Sequence, residues 1–506
     1  MQAYANMRLL IGDVHTHCGI SYGNGTLEEA LKNAREQLDF CAITGHAHWH
    51  DMPKADARTQ PVIDYHMAGF SKLKAGWGDA LAKLRAANDE GRFVVFPSFE
   101  VHSLESGDRT IVYKDLEGEI LYVKDMKDLH KRLQKLIKQG KLAMSFPHHI
   151  GYRRGSRGMD WKSLDPVTEP VVEVVSMHGG SEASETPRPF LRSMGPSDWE
   201  STMQYGLAQG RVFGVVGNTD HHSAYPGSYG HGRTALWAES NTREAIWDAY
   251  FARRTYALTG DKIGLQFSLN GAAMGSVIRK TSRRKLEIKV AGGGALDCVD
   301  VIKNNKLLRR YSECDVRQAA PGRLVRTKIF LEVGWGDKKH ETAWDILLGI
   351  SAGRILSVEP RFRGQDVVSP RDKERDAPTD YYTSHWEQVD DRKVHYTTRT
   401  RGNPTASTSS TQGMCLEVEM PASGFVEALI NDKKEKIPLA RLMAGAYANE
   451  MGQVSAPAYR FHRAPPAWEF DWDLSFEDKD DKPAFYYVRV REKNDQWAWS
   501  SPVFLR

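Results

Sequence analysis

The chain has 506 residues, too many for one ordinary core, so two or three domains are expected. Hydrophobic residues at 41%, charged residues at 26% and a formal charge of +4 describe an ordinary globular protein and exclude a surface built to coat a polyanion. Five scattered cysteines without C-x-x-C spacing argue against a disulfide framework and against a zinc-thiolate site. The first residues show no basic segment followed by an apolar run, and no stretch is long and apolar enough to span a bilayer. A cytoplasmic location without membrane attachment is therefore expected.

The first apolar run, Leu9-Leu10-Ile11, ends in Asp13-Val14-His15-Thr16-His17. Residues i and i+2 of an extended strand project to one face, so His15 and His17 can reach a single metal ion. A helix follows, with a Thr26/Glu29 capping box and an apolar face of Leu27, Ala30, Leu31, Ala34 and Leu38. A short strand from Phe40 to Ile43 then ends in Thr44-Gly45-His46-Ala47-His48-Trp49-His50. Helical patterns over about 65–89 and about 124–138 separate two further apolar runs. One runs from Phe93 to Phe96 and leads to Glu100; the other, from Leu142 to Phe146, leads to Pro147-His148-His149. The last two runs, Val171 to Val175 and Val212 to Val216, end at Ser176-Met177-His178 and at Thr219-Asp220-His221-His222.

Strands that are continuous apolar runs, alternating with helices, mark a parallel sheet covered on both faces. Six successive strands ending in His, Glu or Asp predict a β/α barrel whose C-terminal rim gathers those side chains at one mouth. The histidine distribution agrees, since 14 of the 18 lie within the first 231 residues. From about residue 263 the pattern changes to alternating apolar and polar residues, as in Leu286 to Val290 and Tyr486 to Arg491. Val299 to Leu307 reads as a hairpin around Asn304-Asn305. The division predicted is a metal-binding β/α unit over 1–262 and a β-sandwich-like unit over 263–506, with a long polar insertion around 358–413.

D-x-H-x-H, a strand ending T-x-H, then F-E, P-H-H and T-D-x-H together resemble the PHP (polymerase and histidinol phosphatase) superfamily. Within it, V-E-V-V-S-M-H-G-G-S-E (172–182), T-R-E-A-I-W-D-A-Y-F-A-R-R-T-Y-A-L-T-G (242–260) and the terminal Y-Y-V-R-V…A-W-S-S-P resemble an uncharacterised domain-of-unknown-function branch. The resemblance implies a distorted seven-stranded β/α barrel carrying two or three divalent metal ions. It assigns His15, His17, Glu100 and Asp220 to one ion, with Glu100 bridging to a second held by His148 or His149. His46 and His222 are implied for a third. Gly45 stands where many members have an aspartate, and it reads as a position that lets substrate approach closely. The segment from Gly19 to Gly25 lacks a histidine that many members carry there.

Imidazoles and carboxylates without thiolates suit Zn²⁺, Mn²⁺ or Fe²⁺, and paired ions of this kind generate a bridging hydroxide for hydrolysis. His178 and His222 are the candidates for protonating the leaving group. Tyr152, Arg154 and Arg157, in the loop after His149, are candidates for gripping an anionic small-molecule substrate. Tyr22 and Trp49 are weaker wall candidates; His66, His102 and His130 read as surface or core residues. The expected function is a metal-dependent phosphoesterase. Its alternatives are a hydrolase of a non-phosphate C–O or C–N bond and a non-catalytic metal-stabilised binding protein. The near-zero charge and the lack of a basic–aromatic stripe count against a nucleic-acid partner.

Overall fold

The computed structural model describes residues 1–319, 322–367, 383–405 and 408–506. Strands β1 (Arg8–Asp13), β2 (Phe40–Trp49) and β3 (Val94–His102) are parallel neighbours. β3 is buried along its whole length, which its near-continuous apolar run requires of a strand covered on both faces. Helix α1 (Leu27–Arg35) joins β1 to β2, and its Thr26 cap exchanges hydrogen bonds with Glu29 as the sequence implied. Helix α2 (Gln60–Ala87) joins β2 to β3.

After β3 the pairing changes. Strand β4 (Arg109–Tyr113) returns antiparallel to β3, and β5 (Ala143–Pro147) returns antiparallel to β4, with helix α3 (Met126–Lys138) between them. Strands β6 (Val171–Ser176), β7 (Gly179–Gly180) and β8 (Gly214–Gly217) form a separate sheet in which β6 and β8 are parallel, and helix α4 (Met203–Ala208) precedes β8. Strand β9 (Arg233–Ala238), helix α5 (Arg243–Phe251) and strand β10 (Thr255–Leu258) complete the unit, with β9 antiparallel to both β1 and β10.

The α/β class is therefore as expected, but a single closed ring of seven strands is not what the described residues form. The order β10-β9-β1-β2-β3-β4-β5 is one sheet, and β7-β6-β8 is another. Isolated bonds bridge the gaps, among them Ser145 N to Thr168 O at 2.9 Å and Thr234 Oγ1 to Gly217 O at 2.7 Å. β4 was not anticipated, because its five residues follow β3 by a short loop and no helix separates them.

The first sheet does not stop at residue 262. Trp497–Ser500 pairs antiparallel with β10, and Ala484–Glu492 lies beyond it. Trp497 and Trp499 pack with Val172, Val174 and Phe213, so the aromatic end of the chain covers the β6–β8 layer. Farther out, two five-stranded antiparallel sheets face one another across Ile329, Leu331, Trp344, Ile346, Val394 and Tyr396. Two strands of this sandwich, His385–Gln388 and Lys393–Thr400, fall inside the stretch read as a polar insertion. Lys393–Thr400 buries Val394, Tyr396, Thr398 and Thr400 and exposes or half-exposes the residues between, so its composition reads as polar although one face is core. Residues 368–382, and Ala406 and Ser407 at the polar close of the stretch, lie outside the described residues.

Two contacts hold the rim on which the site is built. Arg109 on β4 donates from Nε to Glu169 Oε1 at 2.6 Å, and His130 of α3 meets the same oxygen at 3.0 Å. Burial would raise the Glu169 carboxyl, but the Arg109 guanidinium and His130 outweigh it and hold it down to about 2. A carboxylate depressed in the folded state stabilises it above the ordinary glutamate range, and that contribution fades as pH falls towards the folded value. Glu169→Gln is accordingly expected to cost about 3 kcal/mol near neutrality, the gap to the parent closing between pH ~4.5 and ~2 in urea melts.

Gly45 has a packing role in place of the substrate-access role read from the sequence. A Cβ there would lie 2.4 Å from Leu73 Cδ1, inside the buried contact between β2 and α2. Gly45→Ala should lower stability by ~1–3 kcal/mol through overpacking, measurable by thermal melting.

Candidate metal centre

The rim residues converge. Beyond the end of β1 the chain turns irregular, yet His15 Nε2 and His17 Nε2 both face Asp220 Oδ1, at 3.4 and 3.0 Å. Glu100 Oε2, from β3, lies 3.6 Å from each of these two nitrogens and 3.7 Å from His46 Nε2 of β2. Its other oxygen lies 3.2 Å from His148 Nε2. His149 follows with φ of 32°, and that left-handed turn lets two consecutive side chains, which a strand would point to opposite faces, share one site. His149 Nε2 lies 3.4 Å from Asp108 Oδ2. Asp220, with φ of 54°, is kinked in the same way, so the segment 220–222 is not the extended one its spacing suggested. His222 instead brings Nε2 to 3.3 Å from His46 Nε2.

Four overlapping groups of donors result: His15/His17/Asp220, His17/His46/His222, Glu100/Asp108/His148/His149 and His46/Glu100/His102. Every metal ligand proposed from the sequence belongs to one of them. All of these residues are buried.

The imidazoles are aimed by bonds on their far sides, the arrangement that fixes a ligand's ring and tautomer. His15 Nδ1 donates to Glu173 Oε2 at 2.8 Å, and Glu173 is held in turn by Asn218 Nδ2 at 3.0 Å. His17 Nδ1 donates to Thr44 O at 2.6 Å, and His148 Nδ1 pairs with Thr110 Oγ1 at 2.9 Å. His46 Nδ1 pairs with Ser21 Oγ at 2.9 Å, and the Tyr22 ring stacks on His46 with centroids 3.6 Å apart. Ser21 and Tyr22 come from the histidine-free glycine-rich segment, which thus supplies support for His46 where a preceding aspartate is missing.

Burial and charge act against each other here. Burial would raise the Glu100 carboxyl, but the imidazoles of His102, His148 and His46 hold it well below the usual carboxylate range. Burial pushes His148 down to about 3, with His15 adding to the effect, and pushes His178 down to about 4 despite Asp220. Both rings are neutral at pH 7, and His148 is available as a ligand. For His15, burial is outweighed by Asp220, Glu173 and Glu100, which hold that imidazole well above its usual value. His15 Nε2, His148 Nε2 and His149 Nδ1 are buried and make no hydrogen bond among the described residues. The first two face carboxylates, and buried nitrogens so placed are what divalent cations would satisfy.

The remaining candidates separate. His178 is engaged at both nitrogens, with Nε2 2.9 Å from Asp220 Oδ2 and Nδ1 2.6 Å from the Tyr152 hydroxyl. Arg157 turns inward. Its guanidinium pairs with Asp108 through Nε at 2.7 Å and through Nη2, and it lies over the Trp49 ring at 5.6 Å. Arg154 does not join it, but stays exposed with Glu200 at 3.5 Å.

Three site residues were missed. His102, set aside as surface or core, places Nδ1 2.9 Å from Glu100 Oε1 and 3.0 Å from Asp108 Oδ2. Glu100-Val101-His102 repeats the same-face spacing of His15 and His17, and that signal was available. Asp108 was hidden by the unexpected hairpin. Glu173 was detectable as the lone charge in the apolar run 171–175.

A family model described as a protein of unknown function (DUF3604) matches residues 215–282. An uncharacterised protein of Chlamydia pneumoniae is 31% identical over 249 residues, 44% of this chain and 39% of the relative. An uncharacterised protein of Chlamydia muridarum is 27% identical over 252 residues, again 44% of this chain and 39% of the relative. The match thus spans about two fifths of the relatives' own length. Among solved structures, a two-domain protein from Bacteroides vulgatus containing a predicted PHP-like metal-dependent phosphoesterase aligns over 63% of this chain and 82% of its own, at 14% identity and a TM-score of 0.30. At that level of likeness nothing about this chain's chemistry follows from it.

Proposed function

We propose that the chain is a metal-dependent hydrolase of phosphate mono- or diesters. One observation carries this reading. Histidine nitrogens and carboxylates from five strand ends and the β3–β4 loop meet in one buried place, with outer atoms of His15 and His17 tied and Nε2 of His15 and of His148 without a hydrogen bond among the described residues. His15, His17, Glu100 and Asp220 would hold one divalent ion and Glu100, Asp108, His148 and His149 a second, with His46 and His222 completing a further position. Zn²⁺, Mn²⁺ and Fe²⁺ all suit such donors. Ions bound there supply a water acidic enough to attack at neutral pH and positive charge for the oxygens of an in-line displacement.

The chain's own groups supply the rest. His178 holds a proton at Nε2, facing Asp220, and the Tyr152 hydroxyl donates to its Nδ1. Neutral at pH 7, His178 would take up the proton that the attacking water releases and pass it to the leaving oxygen. Arg157 presents a guanidinium to an anionic ester, and Trp49 limits where it can swing.

His178→Gln should lower kcat by ~10²–10⁴-fold for alkyl phosphates, and far less for a nitrophenyl ester whose leaving group needs no proton. An equal loss for both substrates would remove His178 from that role. For the function itself, elemental analysis of protein purified without chelator should find divalent metal, and a panel of phosphate esters should release phosphate. Metal with no phosphate release, alongside turnover of a lactone or amide, would move the reaction to a carbon centre.

A further inference from the structure

Beside the metal centre lies a second cluster, assembled from both halves of the chain. Residues 362–367, beyond the first sandwich strands, return to the loop that carries Asp220 and His222. Val367 O accepts from His222 N at 3.0 Å, Phe362 O accepts from Tyr229 N at 2.9 Å, and Gly364 N donates to Ser228 Oγ at 3.1 Å. Gly364 sits so close to His221 that a Cβ would come within 2.8 Å of that ring. This return delivers Arg363 over the Tyr229 ring at 4.6 Å, with Nη1 donating to Tyr229 O at 2.7 Å. Gly230, with φ of 91°, leaves it room, since a Cβ would lie 2.9 Å from Nη1. From the loop after β7 come Arg188, whose Nη2 donates to Asp495 O at 3.0 Å, and Arg192, whose Nη2 lies 3.4 Å from Asp366. His231 stands in the field of all three guanidinium groups and stacks on His221 with centroids 5.5 Å apart.

The charges do not balance locally. Among the described residues, Asp366 is the carboxylate ion-paired to these arginines, and it serves Arg192. Arg188 and Arg363 have carbonyl partners, while the Nε of each is buried without a hydrogen bond among the described residues, as is Nε2 of the adjoining His221. Glu332 and Asp261 also act on Arg363 through space, but Glu332 is bonded to His462 and Thr411, and Asp261 to Arg361, Tyr229 and Asn494. Half-buried guanidinium groups with unspent donors are preorganised for a phosphate or carboxylate. Arg192 links the two places, since it acts electrostatically on both His178 and His231.

We propose that Arg188, Arg192, Arg363 and His231 form an anion-binding subsite next to the metal centre, so that the substrate carries a second phosphate or carboxylate in addition to the ester that is cleaved. This rests on the hydrolase reading for the word substrate, but the subsite can be tested without turnover. Calorimetric titration of inorganic phosphate, and separately of citrate, into chelator-treated full-length protein should show binding of at least one anion. Arg188→Met/Arg363→Met should weaken it at least tenfold, and His15→Ala/His17→Ala should leave it within about twofold. Arg188→Met alone should weaken it measurably and guards against a folding defect in the double variant. Absence of binding to the parent, or unchanged affinity in a folded Arg188→Met/Arg363→Met protein, would overturn the subsite. Loss of metal or of phosphate release bears only on the hydrolase reading, and which anion binds more tightly identifies the second group.

Discussion

His15→Ala/His17→Ala is expected to bring bound metal down to trace levels and to abolish hydrolysis, with the sandwich still folded. Both nitrogens converge on Asp220 Oδ1, and Glu100 faces both, so the double change removes two of the three donors of that group. Each ring is also fixed from behind, by Glu173 and by the Thr44 carbonyl. A graded control follows from that arrangement. Glu173→Gln keeps the size of the side chain but weakens the bond that orients His15, so metal affinity should drop about 10–100-fold without vanishing. The sandwich core lies around Ile329, Trp344 and Tyr396, well separated in sequence from the rim, and its melting should be unchanged. Elemental analysis combined with calorimetry reads all three quantities. Stoichiometric metal retained in the double variant would mean that the ions, if bound, sit elsewhere.

The candidate ligands were legible because two independent regularities coincide on them. Apolar runs mark buried strands, and a polar residue just beyond each run marks the rim, so His15, His46, Glu100, His148 and Asp220 could be grouped without coordinates. What could not be read depends on pairing direction and on kinks. Apolar content alone does not distinguish a parallel βα unit from the β3–β4 hairpin, and Asp108 sits in that hairpin's loop. The resemblance left His148 and His149 as alternatives, whereas the left-handed conformation at His149 admits both. The polar stretch concealed sandwich strands because a one-sided strand shows only half of its residues as apolar. Residues 362–367 reach the rim from more than a hundred positions away, and no local pattern announces such a return.

Arg157→Ala is expected to be costly and Arg154→Ala nearly silent, although both stand in one glycine-rich loop. Arg157, with φ of 72°, turns its guanidinium into the site, where it pairs with Asp108 and reaches His102 Nδ1 at 2.6 Å and Glu100 Oε1 at 3.6 Å. Its side chain keeps 16% exposure, so it is the face of this network that a ligand can touch. Losing a charged hydrogen-bond donor to an anionic ester should reduce kcat/KM by ~1.5–3 kcal/mol, roughly 10–150-fold. Removal also leaves Asp108 buried beside Glu100 without its counter-ion, and breaking a buried pair costs about 3–5 kcal/mol of stability. Bound metal would take over part of that neutralisation, so the stability loss should be larger in chelator than in metal-loaded protein. Arg157→Lys should recover much of the stability but little of the substrate binding, because an ammonium cannot reproduce the two-pronged guanidinium contact. Arg154 pairs with Glu200 at an exposed surface, where such bridges contribute about 0–1 kcal/mol. Steady-state kinetics and thermal melts of the three variants, with and without metal, separate these effects. Equal behaviour of Arg157→Ala and Arg154→Ala would show that the buried guanidinium neither binds substrate nor balances Asp108.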